Sequence, residues 1–169
     1  MKRHILGLLV VTSLGLALLP GSAQSQQKSL KEQLAGTWTL VSNDLVGPDG
    51  AKRPSYGPNP KGVLILDAGG RYALIITRSD LPDFKANNRL KGTPQENQAI
   101  VRGTNANFGT WSVDEASKTL IIRYEAATFP NHVKTDLKRS VAVSGDELKV
   151  QNPTPSAGGS GESVWRRAK

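Results

Sequence analysis

"AGTWTLV" (35–41) and "FGTWSVD" (108–114) are near-copies, and together they hold two of the three tryptophans in the chain. Each sets a Gly two residues ahead of a Trp and then alternates apolar with polar positions. That period belongs to a strand with one covered and one wetted face. The same texture recurs along the chain, and it predicts eight strands at 36–46, 62–67, 71–77, 107–113, 119–126, 135–144, 147–152 and 162–168. Each run is rich in Val, Ile, Thr, Leu or aromatics and is bounded by Gly, Pro, Asn or Asp.

The connections decide how these strands assemble. "DAGG", "DEASK" and "SGD" are tight hairpin turns, whereas 47–61, 78–106, 127–134 and 153–161 are longer. Short and long connections alternate strictly, as in an up-and-down meander with every tight turn at one end. Eight such strands close into a barrel with a shut floor and a loop-lined mouth, since closure removes the exposed edges. A two-sheet sandwich fits this parity less well. The connection 78–106 carries one helix over 94–103, with Thr93 as N-cap, Pro94 in its first turn, Glu96 closing a capping box and Gly103 as the stop. Parity places that helix at the mouth, as a partial lid.

In a closed barrel the first and last strands adjoin, which sets Trp38 and Arg167 together near the floor, within stacking distance of a guanidinium on an indole. Trp111, on a strand descending from the mouth, also falls in the lower half. The two Gly-x-Trp segments are therefore packing devices and not a functional repeat.

The chain begins "MKRHILGLLVVTSLGLALLPGSAQSQ". A basic start, an apolar run of about fifteen residues and Gly21-Ser22-Ala23 have the make-up of a cleaved export signal, and the run is shorter than the ~20 residues of a spanning helix. The expected organisation is residues 1–23 as signal peptide, 24–33 as a flexible segment and 34–169 as the barrel. The mature product is then secreted or periplasmic, with no membrane anchor after processing. Losing Lys2 and Arg3 lowers the formal charge from +8 to +6. The remaining basic residues are scattered, with only "LKRS" and "WRRAK" as short clusters, so the charge reads as a solvated surface and no nucleic-acid footprint.

Enzyme chemistry finds little to work with. There is no cysteine, and once His4 is removed His132 is the single histidine. A thiolate site, a metal centre and a Ser-His-Asp arrangement are thereby disfavoured, so catalytic residues, metal and cofactor are all expected to be none. A barrel interior can still bind. Alternation turns Leu120, Ile122, Tyr124, Leu137, Val141, Val143, Leu148 and Val150 inward, and Arg139 with them. A guanidinium in a dry interior costs several kcal/mol unless an internal carboxylate, or water and an acidic ligand, meets it. The expected pocket is lined by Tyr124, Leu137, Arg139 and Val141, with Tyr56 and Arg78 added from the mouth loops and a volume of ~300–1,000 Å³.

Several segments in order carry a further likeness. Gly36-x-Trp38 with a late Arg167, "YGPNPKGVLIL" (56–66), "GTPQENQAIVRGTNANFGTWSV" (92–113), "ATFPNHVKTDLKRSVAVSGDELKV" (127–150) and "VWRR" (164–167) resemble the lipocalin-like domain family of bacterial and fungal proteins, within the calycin group. The resemblance covers about 34–168 and implies a calycin-type barrel without one well-defined shared activity. His132 stands where that pattern has an aromatic, and Lys134 where it has Gly. The reading that follows is an exported all-β barrel binding a small, largely apolar or acidic molecule. Two alternatives stay open: a cavity that holds a substrate for cyclisation or isomerisation without a nucleophile, and a packed structural or interaction module with no ligand. Nothing in the sequence sets the oligomeric state.

Overall fold

The structure, a computed structural model, describes residues 28–169. The expected signal peptide and its cleavage point near Gln24 lie outside those residues. Nine strands form one antiparallel sheet: β1 (Gly36–Val46), β2 (Lys52–Pro54), β3 (Lys61–Leu66), β4 (Arg71–Thr77), β5 (Thr104–Asp114), β6 (Thr119–Ala127), β7 (Asp136–Ser144), β8 (Glu147–Asn152) and β9 (Ser160–Arg167). Each of β3 to β9 pairs with the next, and β9 returns to pair with β1. Eight strands thus close an up-and-down barrel. The ninth, β2, is a short addition that pairs with the upper end of β1 (Asp44–Val46), while the lower end (Gly36–Thr39) pairs with β3.

The inward rows follow the expected parity. Leu120, Ile122 and Tyr124 of β6, Leu137, Arg139 and Val141 of β7, and Leu148 and Val150 of β8 are all buried. Val143 is half-buried and packs against that core. The two helices are α1 (Leu30–Leu34) and α2 (Pro94–Gly103). In α2 the Thr93 and Glu96 capping box is complete, with Pro in the first turn as the sequence predicts.

Residues 28–33 differ from the flexible segment expected there. Ser29 and Glu32 form a second capping box, and the Glu115 carboxylate accepts hydrogen bonds from Leu30 N (2.8 Å) and Lys31 N (3.0 Å). Those bonds fix the free N–H groups of the first turn, and fully buried Leu34 drives the helix into the barrel floor. There Trp38 Nε1 donates to Leu34 O at 2.8 Å. Arg167 lies 4.1 Å from the Trp38 ring centroid and donates to Ala35 O (3.0 Å) and Gln33 O (2.6 Å). Trp111 closes the same end, with its Nε1 on Asp67 O at 2.8 Å and Lys31 5.9 Å from its ring.

The two glycines serve different contacts. Gly36 has φ +134°, and a Cβ there would stand 2.8 Å from Arg167 Nη1, so its role is to admit the guanidinium. Gly109 sits at a register shift between β5 and β6, where a Cβ would run into the backbone of Arg123. It relieves crowding against a neighbouring strand, not against the Trp ring.

Candidate ligand cavity

Above the floor the barrel encloses a cavity of about 110 Å³. Part of its wall is apolar, formed by Leu64, Leu74, Ile76, Leu120, Ile122 and Trp165. Arg139, Tyr124, Asn152 and Asn107 line it too, and they belong to a belt of polar side chains that reaches across five strands. Arg139 on β7 donates to the carboxamide oxygen of Asn152 on β8 and, at 3.2 Å, to the hydroxyl of Tyr124 on β6. The Tyr124 ring lies over Tyr72 on β4, with centroids 6.1 Å apart and planes at 30°. Tyr72 donates to Asn107 Oδ1, and Asn107 Nδ2 donates to Asn105 Oδ1 at 3.0 Å, both on β5. Asn105 and half-buried Tyr56 also line the cavity.

Burial raises the Tyr72 phenol well above its ordinary value, and Tyr124 adds to the shift while the Arg139 charge pulls it down. Tyr56 is raised too, first by burial, with its Asn105 bond acting the other way. Both hydroxyls therefore stay protonated at neutral pH and serve as hydrogen-bond donors.

The charge on Arg139 is the feature without a structural counterpart. The residue is only 8% exposed, and both of its hydrogen-bond partners are neutral. Among the described residues it forms no ion pair. Of the two ways of meeting this charge, a directly paired internal carboxylate is not found among the described residues. The charged neighbours on the cavity wall are Asp44 and Glu162. Glu162 is held outward by Lys52 and Gln151, and its carboxyl lies below the usual range chiefly because of the Lys52 bond.

The structure brings Arg139, Tyr124 and Tyr56 together at the cavity and leaves the other expected lining residues elsewhere. Leu137 and Val141 are buried wall residues packed in the core, and neither reaches the cavity. From β7 only Arg139 reaches the open space, which extends toward β1 and β9. Arg78 is tied to Asp80 through two 2.7 Å hydrogen bonds on the surface and does not line the cavity. No residue of α2 lines it either; the helix sets Gln95, Gln98, Ala99 and Arg102 against 78–82 instead of covering the mouth. The cover comes from two loops. Phe129 and His132 close one side, the His132 ring 4.9 Å edge-on to Phe129 and 6.3 Å from Tyr124. Thr154 to Ala157, in the loop before β9, close the other. Lys134 takes φ +68°, the left-handed conformation that Gly would adopt freely, and its N–H returns to Tyr124 O at 3.1 Å. The volume is also below the ~300–1,000 Å³ of an ordinary small-molecule site.

Sequence reading missed Trp165, Ser163 and Asn152. Trp165 is almost wholly buried and donates to Ser163 Oγ at 2.8 Å. The signal was there: Ser163, Trp165 and Arg167 share a face by alternation, as do Leu148, Val150 and Asn152.

Solved structures similar to this chain include two from Bacteroides species. One is a lipocalin-like protein from Bacteroides uniformis, at 16% identity and a TM-score of 0.44, with 80% of this chain and 99% of that chain covered. The other is an uncharacterized protein from Bacteroides eggerthii, at 10% identity and a TM-score of 0.41, with 79% and 98% covered. No curated protein matches the sequence. The model of the lipocalin-like domain matches residues 35–168, nearly the whole span from floor helix to last strand, and the chain belongs to that family.

Proposed function

We propose that this chain is an exported binding protein that takes a compact, partly apolar anion into its barrel, with Arg139 as the anchor. The observation that carries the reading is a buried guanidinium, facing a cavity, with only neutral partners. Desolvating an unbalanced cation costs several kcal/mol, and a bound anion recovers that in charge-assisted hydrogen bonds. Tyr124 and Asn152 orient the guanidinium, and Trp165 with the aliphatic part of the wall receives the apolar body. Size restricts the ligand further. At about 110 Å³ the cavity admits only a compact ligand, and a long acyl chain does not fit. Asp44 and Glu162 at the wall favour a single negative charge over several. The basic start, apolar run and Gly21-Ser22-Ala23 support export, with the mature chain beginning near Gln24.

Benzoate and its neutral analogue benzamide test the anchor, by titration followed through tryptophan fluorescence. Arg139→Leu is expected to weaken benzoate at least tenfold, about 1.4 kcal/mol, and to leave benzamide unchanged. Equal losses for both probes, or benzoate binding that ignores the substitution, would sink the proposal. N-terminal sequencing of protein recovered from outside the cytoplasm tests export, and an intact Met1 in the membrane fraction would overturn that part.

A further inference from the structure

The outside of the barrel is divided in a way that ligand binding does not call for. On one side the outward rows carry charge, with Lys138 on β7, Glu147 and Lys149 on β8, and Glu162 and Arg166 on β9. On the other side charge is confined to the borders, and the middle rows carry none. Ile65, Ala73, Phe108 and Ala126 are successive register partners across β3, β4, β5 and β6, so they form one unbroken outward row. Val63, Ile75 and Ala106 form the next row, and Thr39 extends it onto β1, with exposed Val41 two residues further along that strand. Val41, Ile65, Ile75 and Phe108 are 47%, 41%, 48% and 47% exposed, which makes them four of the seven exposed large hydrophobics among the described residues. Threonines continue the rows outward: Thr37 and Thr39 on β1, Thr77 on β4, Thr104 and Thr110 on β5.

An apolar centre with an uncharged polar rim is the anatomy of an interface. Surface apolar residues are ordinarily scattered singly, and a connected patch marks a place that something covers. We propose that the occupant is a second copy of this chain, which packs the same face against this one about a two-fold axis. Three features select a copy over another partner. The patch is built of sheet rows, and two such faces interdigitate at the ~10 Å spacing of packed sheets. A two-fold contact needs only that one patch complement itself, which an apolar face with no charge inside it does. The charges on its floor-side border are already neutralised within the chain, Arg71 by Glu125 and Arg123 by Asp136, so a like-charged copy meets no unpaired charge there. Lys61 marks the opposite border.

The patch spans five strands at about 4.8 Å spacing and about six residues at about 3.4 Å each, a footprint on the order of 400 Å². Two copies then cover about 800 Å², below the ~1,200–2,000 Å² of stable complexes, so the dimer is weak and reversible. This inference is independent of the cavity.

Sedimentation velocity of the mature chain, from about 1 µM to about 1 mM, covers the range where such a contact assembles. The wild type is expected to pass from monomer to dimer, with little change between low and high salt. Phe108→Asp and, separately, Ile75→Lys should each raise the dissociation constant at least tenfold while keeping the far-UV spectrum and melting transition of the fold. Lys149→Asp on the charged side should leave it unchanged. A chain that stays monomeric throughout overturns the proposal, as does a dimer indifferent to both patch substitutions. Flotation with phosphatidylglycerol vesicles that is lost in Phe108→Asp, with no dimer, would also overturn it by assigning the patch to a lipid surface.

Discussion

Two arginines sit inside this barrel, and they have opposite surroundings. Arg167 at the floor lies 4.1 Å from the Trp38 ring and donates to two backbone carbonyls, with Asp146 3.9 Å away. Arg139, higher up, meets one carboxamide and one phenol and faces an open cavity. Residue type does not explain the difference, and burial, which is deeper for Arg139 than for half-buried Arg167, does not either. The partners do. Those of Arg167 are supplied by the chain itself: the tail of α1, the face of Trp38 and the β7–β8 turn. Those of Arg139 leave its charge unbalanced. A guanidinium whose field is answered by the fold is structural, and one whose field is left open is available to a ligand.

The floor half of this comparison is most directly broken at Trp38. The ring is fully buried, carries Arg167 on its face and bonds the last turn of α1. Trp38→Ala leaves a large cavity and frees both Arg167 and α1, and the expected loss is about 3–5 kcal/mol. Urea unfolding measures it as a lower midpoint with the same slope. A change below about 1 kcal/mol would mean that the floor is not what holds the barrel closed.

How much of this contrast the sequence carried follows from what kind of signal each part has. Strands and floor are periodic, and periodicity is local: alternation around Trp38 and Trp111, together with the parity of short and long connections, was enough to pair β1 with β9. The α1 helix has a local signal as well, Ser29 with Glu32 three residues on, but five residues hold together only with distant partners: Glu115, 85 positions from Leu30, and Arg167 at the far end of the chain. The cavity is different. Parity turned Arg139 and Tyr124 inward correctly, yet whether Leu137 or Trp165 borders open space depends on how side chains from opposite walls fill the middle. The loops at 129–132 and 154–157 cover the mouth through tertiary contacts that no period encodes.

Replacing each arginine in turn by Leu sharpens the comparison. Arg167→Leu removes the stack on Trp38 and strips two carbonyls of their donors, for an expected loss of about 2–4 kcal/mol. Arg139→Leu removes an unbalanced buried charge. Asn152 Oδ1 keeps its hydrogen bond from Thr154 N, and Leu suits the aliphatic wall. The expected change is within about 1 kcal/mol, in either direction, by the same urea measurement. Losses of equal size would mean that Arg139 is as structural as Arg167, and the reason for assigning it to a ligand would disappear.

The smallest effect is expected one residue away. Arg166 is exposed and pairs across to Thr39 on β1 and to Glu147 on β8, on the outer face, while Trp165 and Arg167 on either side of it turn inward. Alternation leaves no other option for a strand in this register, because moving β9 by one residue would exchange the two arginines between solvent and floor. The bulge between Leu40 and Ser42 on β1 lies on the mouth side of the Trp38–Arg167 pair, so the floor half of the strand keeps one register throughout. Arg166→Ala should therefore change stability by no more than about 0.5 kcal/mol, the range of an ordinary surface position, beside the several-fold larger loss for Arg167. If the two substitutions proved equal, or if Arg166 were the costlier, β9 would be offset by one residue. Trp165 would then face outward, and the apolar wall of the cavity would lose its largest side chain.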